Sequence, residues 1–97
     1  MKAIFISYNQ AYHEEILEIM SKNNIKGYTY WDMVRGRGSR GGDPHLGDHA
    51  WPTLNAAILS IVEEEKAEPF MQQLHQLDIK SEAMGLRAFA WSVETTV

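Results

Sequence analysis

The sequence predicts an α+β fold in which a four-stranded antiparallel sheet carries two helices on one face. Three observations predict it: apolar or aromatic runs of strand length, two segments with apolar residues at helical spacing, and their alternation in the order βαββαβ. That order is the split βαβ, or ferredoxin-like, arrangement. Because the 97 residues contain no internal linker, we expect a single domain, residues 1–97, with a modest core.

The first half of this order comes from two strands and the helix between them. Residues 3–8 form a short apolar run that is typical of a buried strand. Asn9 can cap the following helix, which we expect to end near Lys22, because its side chain can accept a backbone N–H. Gly27 then separates this helix from residues 28–34, whose aromatic and β-branched content predicts the second strand.

The second half repeats the pattern. Residues 53–62 predict a third strand that is buried on both faces, and the acidic run 63–65 is typical of a helix start. Because proline is tolerated in the first turn of a helix, Pro69 predicts that the second helix begins near Lys66. Residues 87–93 alternate apolar and polar positions and predict the last strand.

Two helices on one face leave the other face of the sheet uncovered. An exposed aromatic face predicts self-association or a ligand. The alternative, that an aromatic side chain fills the core under the helices, is as good for any single residue but weaker for all of them together. The large side chains that could lie on the uncovered face are Tyr28, Tyr30, Trp31, Phe89 and Trp91.

Composition excludes several classes of function. The formal net charge of -4 argues against nucleic acid as the main partner, since phosphate binding needs a basic face. The absence of cysteine excludes disulfides, thiolate metal sites and cysteine nucleophiles. The apolar run at the N-terminus is too short for a signal peptide, and no run approaches membrane-spanning length. We therefore expect a cytoplasmic protein that does not insert into membranes.

The segment 35–52, between the second and third strands, is the strongest candidate for a functional site, since it holds five of the seven glycines. Residues 36–41 read G-x-G-x-x-G, but prolines break the chain where a Rossmann helix would begin, so we reject a dinucleotide fingerprint. Amides of such a segment can converge on an anion, for example phosphate or bicarbonate. The alternative is a flexible loop with solvated arginines. The predicted anion site consists of Gly36, Arg37, Gly38, Ser39, Arg40 and Gly41.

The same segment offers potential metal ligands. Asp43, His45, Asp48 and His49 lie within seven residues, and imidazole with carboxylate suits zinc or a neighbouring divalent transition metal. Alternatively, the aspartates are turn formers and the histidines are packed by hydrogen bonds. The sequence as a whole indicates binding rather than catalysis. Ser39 has no evident base, and no pair of carboxylates stands out as general acid and base.

Two further histidines, His13 and His75, lie on the predicted helices without acidic or histidine neighbours at ligand spacing. We expect both of them at the surface.

Several short motifs resemble the PII signalling family. Residues 27–29 read G-Y-T and lead into G-R-G-S at residues 36–39; P-H-L-G follows at 44–47 and H-A-W-P at 49–52. The resemblance spans about the whole chain and is nearest to a short-loop PII-like group, some of whose members are described as nitrogen regulatory. It implies a homotrimer with the bare sheet faces turned inward, and a small ligand (an anion, a nucleotide or a metal ion) held between subunits. It also implies a sensory loop that regulates a membrane transporter or an enzyme.

The sequence departs from nitrogen-sensing PII proteins at the loop and at the last turn. Ser39 and Arg40 stand where the family has an arginine and a glutamine, Leu86-Arg87 replaces a glycine-lysine phosphate contact, and the chain stops at Val97, before the distal arginines of the family. We therefore expect no adenine nucleotide in the family manner. The histidines of the loop are similar to those of CutA-like trimers in metal homeostasis. An enzyme acting at the inter-subunit cleft and a purely structural trimer are the remaining alternatives.

Overall fold

The computed structural model describes residues 1–38, 43–48, 53–80 and 84–97. Within them the chain follows the predicted βαββαβ order, with one short 3-10 turn added after the first strand. The elements are β1 (Lys2–Asn9), the 3-10 turn (Gln10–Tyr12), α1 (His13–Lys22), β2 (Thr29–Val34), β3 (Asn55–Val62), α2 (Glu64–Lys80) and β4 (Arg87–Ser92).

The four strands form one antiparallel sheet in the order β2-β3-β1-β4. The first strand lies between β3 and β4, so that Ile4 is opposite Ser60 on one side and Ala90 on the other. This order is that of the ferredoxin-like fold, and the predicted fold class is confirmed. No helix in the described part of the chain is long and apolar enough to cross a membrane.

The junction between β1 and α1 forms as the sequence predicted. The Asn9 side chain accepts the N–H of Ala11 at 2.9 Å, which satisfies one of the free donors at a helix start. The first turn is a 3-10 turn, and α1 itself begins only at His13. The helix ends at Lys22, and Asn24, two residues further on, has a φ of 56°, the left-handed conformation that asparagine tolerates.

The second helix corrects one prediction. It begins at Glu64, two residues before the expected Lys66, and Pro69 lies inside it, in the second turn. Proline has no N–H for the carbonyl four residues earlier, but that residue, Glu65, is exposed, so water can take the place of the missing donor. Packing explains why the helix tolerates the proline, since tertiary contacts override local propensity. The buried side chains of α2 are Ala67, Phe70, Leu74 and Leu77.

The sheet has a face under the helices and a bare face. Side chains of the covered face are sealed: Ile4, Ile6 and Ile58 are 0% exposed. The bare face follows from the register, which pairs Ala3 with both Ile61 and Trp91, Phe5 with both Leu59 and Phe89, and Trp31 with Ala57. We use "bare face" for the large side chains that the helices leave uncovered, namely Phe5, Trp31, Leu59, Ile61, Phe89 and Trp91.

Three of the five aromatic residues predicted for the bare face do lie there. Trp31, Phe89 and Trp91 are 43%, 56% and 49% exposed. Tyr30 does not, because its partner in the sheet is Ile58, a residue of the core under the helices. Tyr28 precedes β2 and is not part of the sheet. The prediction was therefore right for three residues and wrong for Tyr28 and Tyr30.

Candidate functional site

The loop after β2 is closed at its base by a pair of backbone hydrogen bonds. The Gly36 N–H donates to the His45 carbonyl at 2.9 Å, and the His45 N–H donates to the Gly36 carbonyl at 2.6 Å. This bridge joins the start of the predicted anion segment to the centre of the predicted metal segment. The two candidate sites of the sequence therefore converge at one place.

The His45 side chain is buried at this base, with 9% of its surface exposed. Its Nδ1 lies 2.6 Å from Oδ1 of Asn55, the first residue of β3, which is itself 8% exposed. An amide oxygen only accepts hydrogen bonds, so ring Nδ1 is the donor of this one. A buried polar pair of this kind is stable because each partner satisfies the other.

The turn between α2 and β4 packs against the same ring. Gly85 has a φ of 74°, a conformation that favours glycine, and a Cβ placed there would lie 3.3 Å from His45 Cε1. The Asn9 amide reaches over to Met84 Sδ at 3.9 Å. We use "loop base" for Gly36, His45, Asn55 and Gly85, because these residues bring the loop, the start of β3 and the turn together.

The loop returns to the sheet through a second glycine. Gly47 has a φ of 68°, its N–H donates to the Thr53 carbonyl at 3.2 Å, and a Cβ on it would clash with Leu54. The Leu54 carbonyl in turn accepts the N–H of Gln10 at 3.1 Å. The return of the loop is thus fixed to both β3 and the end of β1.

The predicted anion site is described only in part. Gly36, Arg37 and Gly38 are described, whereas Ser39, Arg40 and Gly41 lie outside the described residues. The Gly36 N–H is already engaged by His45, so it cannot also bind an anion as the sequence had suggested. The anion hypothesis therefore rests on the exposed Arg37, on Gly38, and on the three residues that follow them.

The predicted metal site is also described in part. Asp43 and Asp48 are exposed, His45 is buried with Nδ1 hydrogen-bonded, and His49 lies outside the described residues. Among the described residues, no three histidine, cysteine, aspartate or glutamate side chains are grouped so that they could hold a metal ion. Metal binding at Asp43, His45, Asp48 and His49 stays a prediction that needs His49.

The arginine of the last turn is turned towards α2. Arg87 Nη1 donates to the Leu86 carbonyl at 2.7 Å and lies 3.5 Å from Asp78 Oδ2. The Arg87 side chain is 64% exposed, so this ion pair contributes little to stability.

The sequence did not predict a second polar cluster, in which His13 at the start of α1 contacts Tyr8 and Tyr30. His13 Nδ1 lies 2.7 Å from the Tyr8 hydroxyl, and the His13 ring stacks on Tyr30 with 4.4 Å between ring centres. His13 is half-buried, so the expected surface position was wrong; His75 is exposed, as expected. Burial raises the pKa of Tyr8, with Tyr30 adding to the shift. The five-residue spacing of Tyr8 and His13 across a strand-to-helix junction was the available signal.

The fold and the loop base together define a ferredoxin-like α+β domain with a candidate site at one end of its sheet. At this site the loop that follows β2 meets the turn that precedes β4. The chain matches the model of the nitrogen regulatory protein P-II family over residues 1–97 and belongs to that family. The resemblance of the sequence motifs to PII proteins is confirmed. A comparison with curated proteins found no match.

Solved structures of PII-like proteins share the fold. CPII, a nitrogen regulatory PII-like protein from Thiomonas intermedia bound to ADP, AMP and bicarbonate, is 23% identical with a TM-score of 0.75, over 93% of this chain and 82% of CPII. A PII-like signalling protein from Thermus thermophilus is 26% identical with a TM-score of 0.69, over 93% and 83%. The apo form of CPII is 16% identical with a TM-score of 0.67, over 95% and 89%.

These structures correct one general expectation. CPII carries ADP and AMP, so adenine nucleotide is an ordinary ligand for a PII-like protein of this fold. Adenine nucleotide binding is therefore not in doubt for the family, contrary to the expectation drawn from Ser39, Arg40 and Leu86-Arg87.

Proposed function

We propose that this chain is the subunit of a PII-like homotrimer that binds a small anionic ligand at the loop base and reports its presence to a partner protein. The ligand is an adenine nucleotide, bicarbonate or both, and the partner is a membrane transporter or a metabolic enzyme. The observation that carries the proposal is the convergence of the loop and the α2–β4 turn on His45. A ligand held at that point contacts both the loop and the α2–β4 turn, so binding and release of the ligand can move both segments.

The bare face supports the trimer. Side chains of β3 alternate between the two faces, so Asn55 lies on the same face as Ala57 and Leu59. The loop base therefore adjoins the end of the bare face. If subunits pack through that face, the loop base lies where two subunits meet. A ligand there would contact both, which is the arrangement that the PII resemblance implies.

Charge supports an anion. The chain is acidic overall, yet three of its four arginines are in the loop segment and the fourth, Arg87, follows the turn that packs on His45. Arg35, Arg37 and Arg87 are exposed. Arginine and backbone N–H groups together are the usual partners of phosphate and carboxylate-like anions. Binding of ADP, AMP and bicarbonate by CPII adds the ligand chemistry to test first.

The proposal is tested by calorimetry on purified, tag-free protein, with ADP, AMP, phosphate, bicarbonate and Zn²⁺ titrated separately. We expect binding of at least one of the anions, and weaker binding in Arg37→Ala. Lys22→Ala is the matched control, because it also removes one exposed positive charge but lies at the end of α1. Silence for every anion contradicts the proposal. Binding of Zn²⁺ alone, lost in His45→Ala and His49→Ala, favours the metal alternative.

The regulator and the enzyme alternative differ in what happens to the ligand. A regulator releases it unchanged, whereas an enzyme consumes it. We expect ADP and AMP to be recovered intact by chromatography after prolonged incubation with the trimer. Turnover that disappears in Ser39→Ala or His49→Ala while the trimer persists would favour the enzyme.

A further inference from the structure

We infer that His45 is a positioning residue that locks the loop onto the α2–β4 turn, and that its hydrogen bond to Asn55 holds the loop in the arrangement that binds ligand. This inference rests on the proposed function, since it assigns a cause to ligand affinity at the loop base. It concerns a side chain that binds no ligand anion itself. The ring acts through the backbone on either side of it.

The first argument is burial with satisfaction. His45 and Asn55 are both nearly sealed, and their hydrogen bond is short, at 2.6 Å. A buried polar group without a partner costs more than a satisfied pair gains. Any movement of the ring away from Asn55 therefore has a large penalty, which restricts the loop to the position in which the bond is made.

The second argument is connection. His45 holds Gly36 through two backbone hydrogen bonds and Asn55 through its ring, and the ring lies so near Gly85 that a Cβ there would be 3.3 Å from it. These three lie after β2, at the start of β3 and before β4, respectively. Since all three contacts converge on one residue, a displacement of the loop displaces the turn as well.

The third argument is the fit of the two glycines. A Cβ on Gly36 would lie 3.1 Å from Asn55 Nδ2, and a Cβ on Gly85 would lie 3.3 Å from the His45 ring. Both distances are tighter than ordinary contacts between a Cβ and its neighbours. The backbone on both sides thus lies close to the His45–Asn55 pair, at positions where an added Cβ would press on the pair.

The test measures ligand binding and local opening in Asn55→Ala. We expect binding of ADP or bicarbonate, whichever the wild type binds, to weaken about tenfold, the size of one lost buried hydrogen bond. Hydrogen exchange of the Gly36 and His45 amides should accelerate about tenfold, whereas the core amide of Ile58 should keep its wild-type rate. A purely structural role would accelerate exchange in the core as well.

Asn23→Ala is the matched control. The Asn23 amide donates to the Ile19 carbonyl at 2.8 Å and to Gln73 at 3.0 Å, at the end of α1. It removes an equally well bonded asparagine far along the chain from the loop. We expect it to leave ligand affinity and loop exchange unchanged.

His45→Asn separates the hydrogen bond from the ring. The amide nitrogen of asparagine can take the place of ring Nδ1 and donate to Asn55. If this hydrogen bond is the main cause of slow exchange in the loop, His45→Asn should keep part of the wild-type protection of the Gly36 and residue 45 amides. Wild-type affinity and loop exchange in Asn55→Ala overturn the inference, whatever His45→Asn shows. If the wild type binds none of ADP, AMP or bicarbonate, the proposed function fails, and unchanged loop exchange in Asn55→Ala overturns the inference separately.

Discussion

The two faces of the sheet differ in what completes them. Under the helices, Ile4, Ile6 and Ile58 are sealed by α1 and α2 within one chain. On the bare face, Trp31, Phe89 and Trp91 keep about half of their surface in water. The first face is a complete hydrophobic core within one chain, whereas the second face can be buried only when another molecule covers it. Stability of this protein should therefore have a part that is independent of concentration and a part that is not.

The largest expected effect is on the covered face. Phe70 is fully buried, and Phe70→Ala should lower the free energy of unfolding by about 3–5 kcal/mol, through lost transfer energy and the cavity left behind. Urea unfolding at two protein concentrations measures it, and the loss should be equal at both. Ile79→Ala, on an exposed position of the same helix, is the control. A loss below about 1 kcal/mol would mean that the core repacks around the gap.

On the bare face we expect dissociation rather than unfolding. Trp91→Arg places a charge in the middle of the proposed interface and should cost about 2 kcal/mol or more of association energy per subunit. Light scattering across a dilution series should show monomers at concentrations where we expect the wild type to be trimeric. Thr95→Arg adds the same charge beyond the end of β4 and should stay trimeric. A Trp91→Arg protein that remains trimeric would show that subunits meet elsewhere.

A smaller effect is expected at Gly47, where the loop returns to the sheet between its two faces. Gly47→Ala forces a side chain into the left-handed conformation and against Leu54, so we expect a loss of about 1–3 kcal/mol in unfolding free energy. Gly27→Ala is the control, because a Cβ there meets nothing within 4 Å. Equal thermal melting of the two variants would contradict the close packing of the loop return.

The smallest effect concerns the polar cluster beside the covered face. Tyr8→Phe removes the bond to His13 and should cost about 1 kcal/mol. Burial raises the pKa of Tyr8 in the folded state above its usual value. The protonated form is therefore favoured by folding, and this stability is fully present below about pH 10 and lost as pH rises further. The free energy of unfolding, measured with denaturant from pH 8 to 11, should fall less steeply with pH in Tyr8→Phe than in the wild type. Identical slopes would assign the loss of stability to other groups.

Most of the fold could be predicted because it depends on local pattern. Apolar runs and alternation placed all four strands to within about two residues, and helical spacing identified both helices. Asn9 was correctly identified as a cap, but it caps the 3-10 turn that precedes α1. The start of α2 was missed, since packing of Phe70 and Leu74 outweighs the local cost of Pro69. The wrong placement of Tyr30 was avoidable, because adjacent residues of a strand face opposite ways and Trp31 had already been placed on the bare face.

The site could be located from the sequence but not assembled. Glycine and arginine content pointed to the loop, yet nothing in the sequence joins His45 to Asn55, ten residues away, or to Gly85. Those contacts depend on the β2-β3-β1-β4 order, which brings the ends of distant strands together. His13 was misplaced for a related reason: its partner Tyr30 lies on another strand.

The bridge between Gly36 and His45 has a consequence for how such a loop can diversify. With the base closed, the residues between the two partners have only to leave and return to fixed points, and doubling the length of such a segment costs only about 0.6 kcal/mol of closure entropy. The tip can therefore be lengthened, shortened or exchanged for a segment that a different partner recognises. Such a change at the tip leaves the bridge between Gly36 and His45 in place, so the partner that the loop recognises and the proposed ligand site can vary independently.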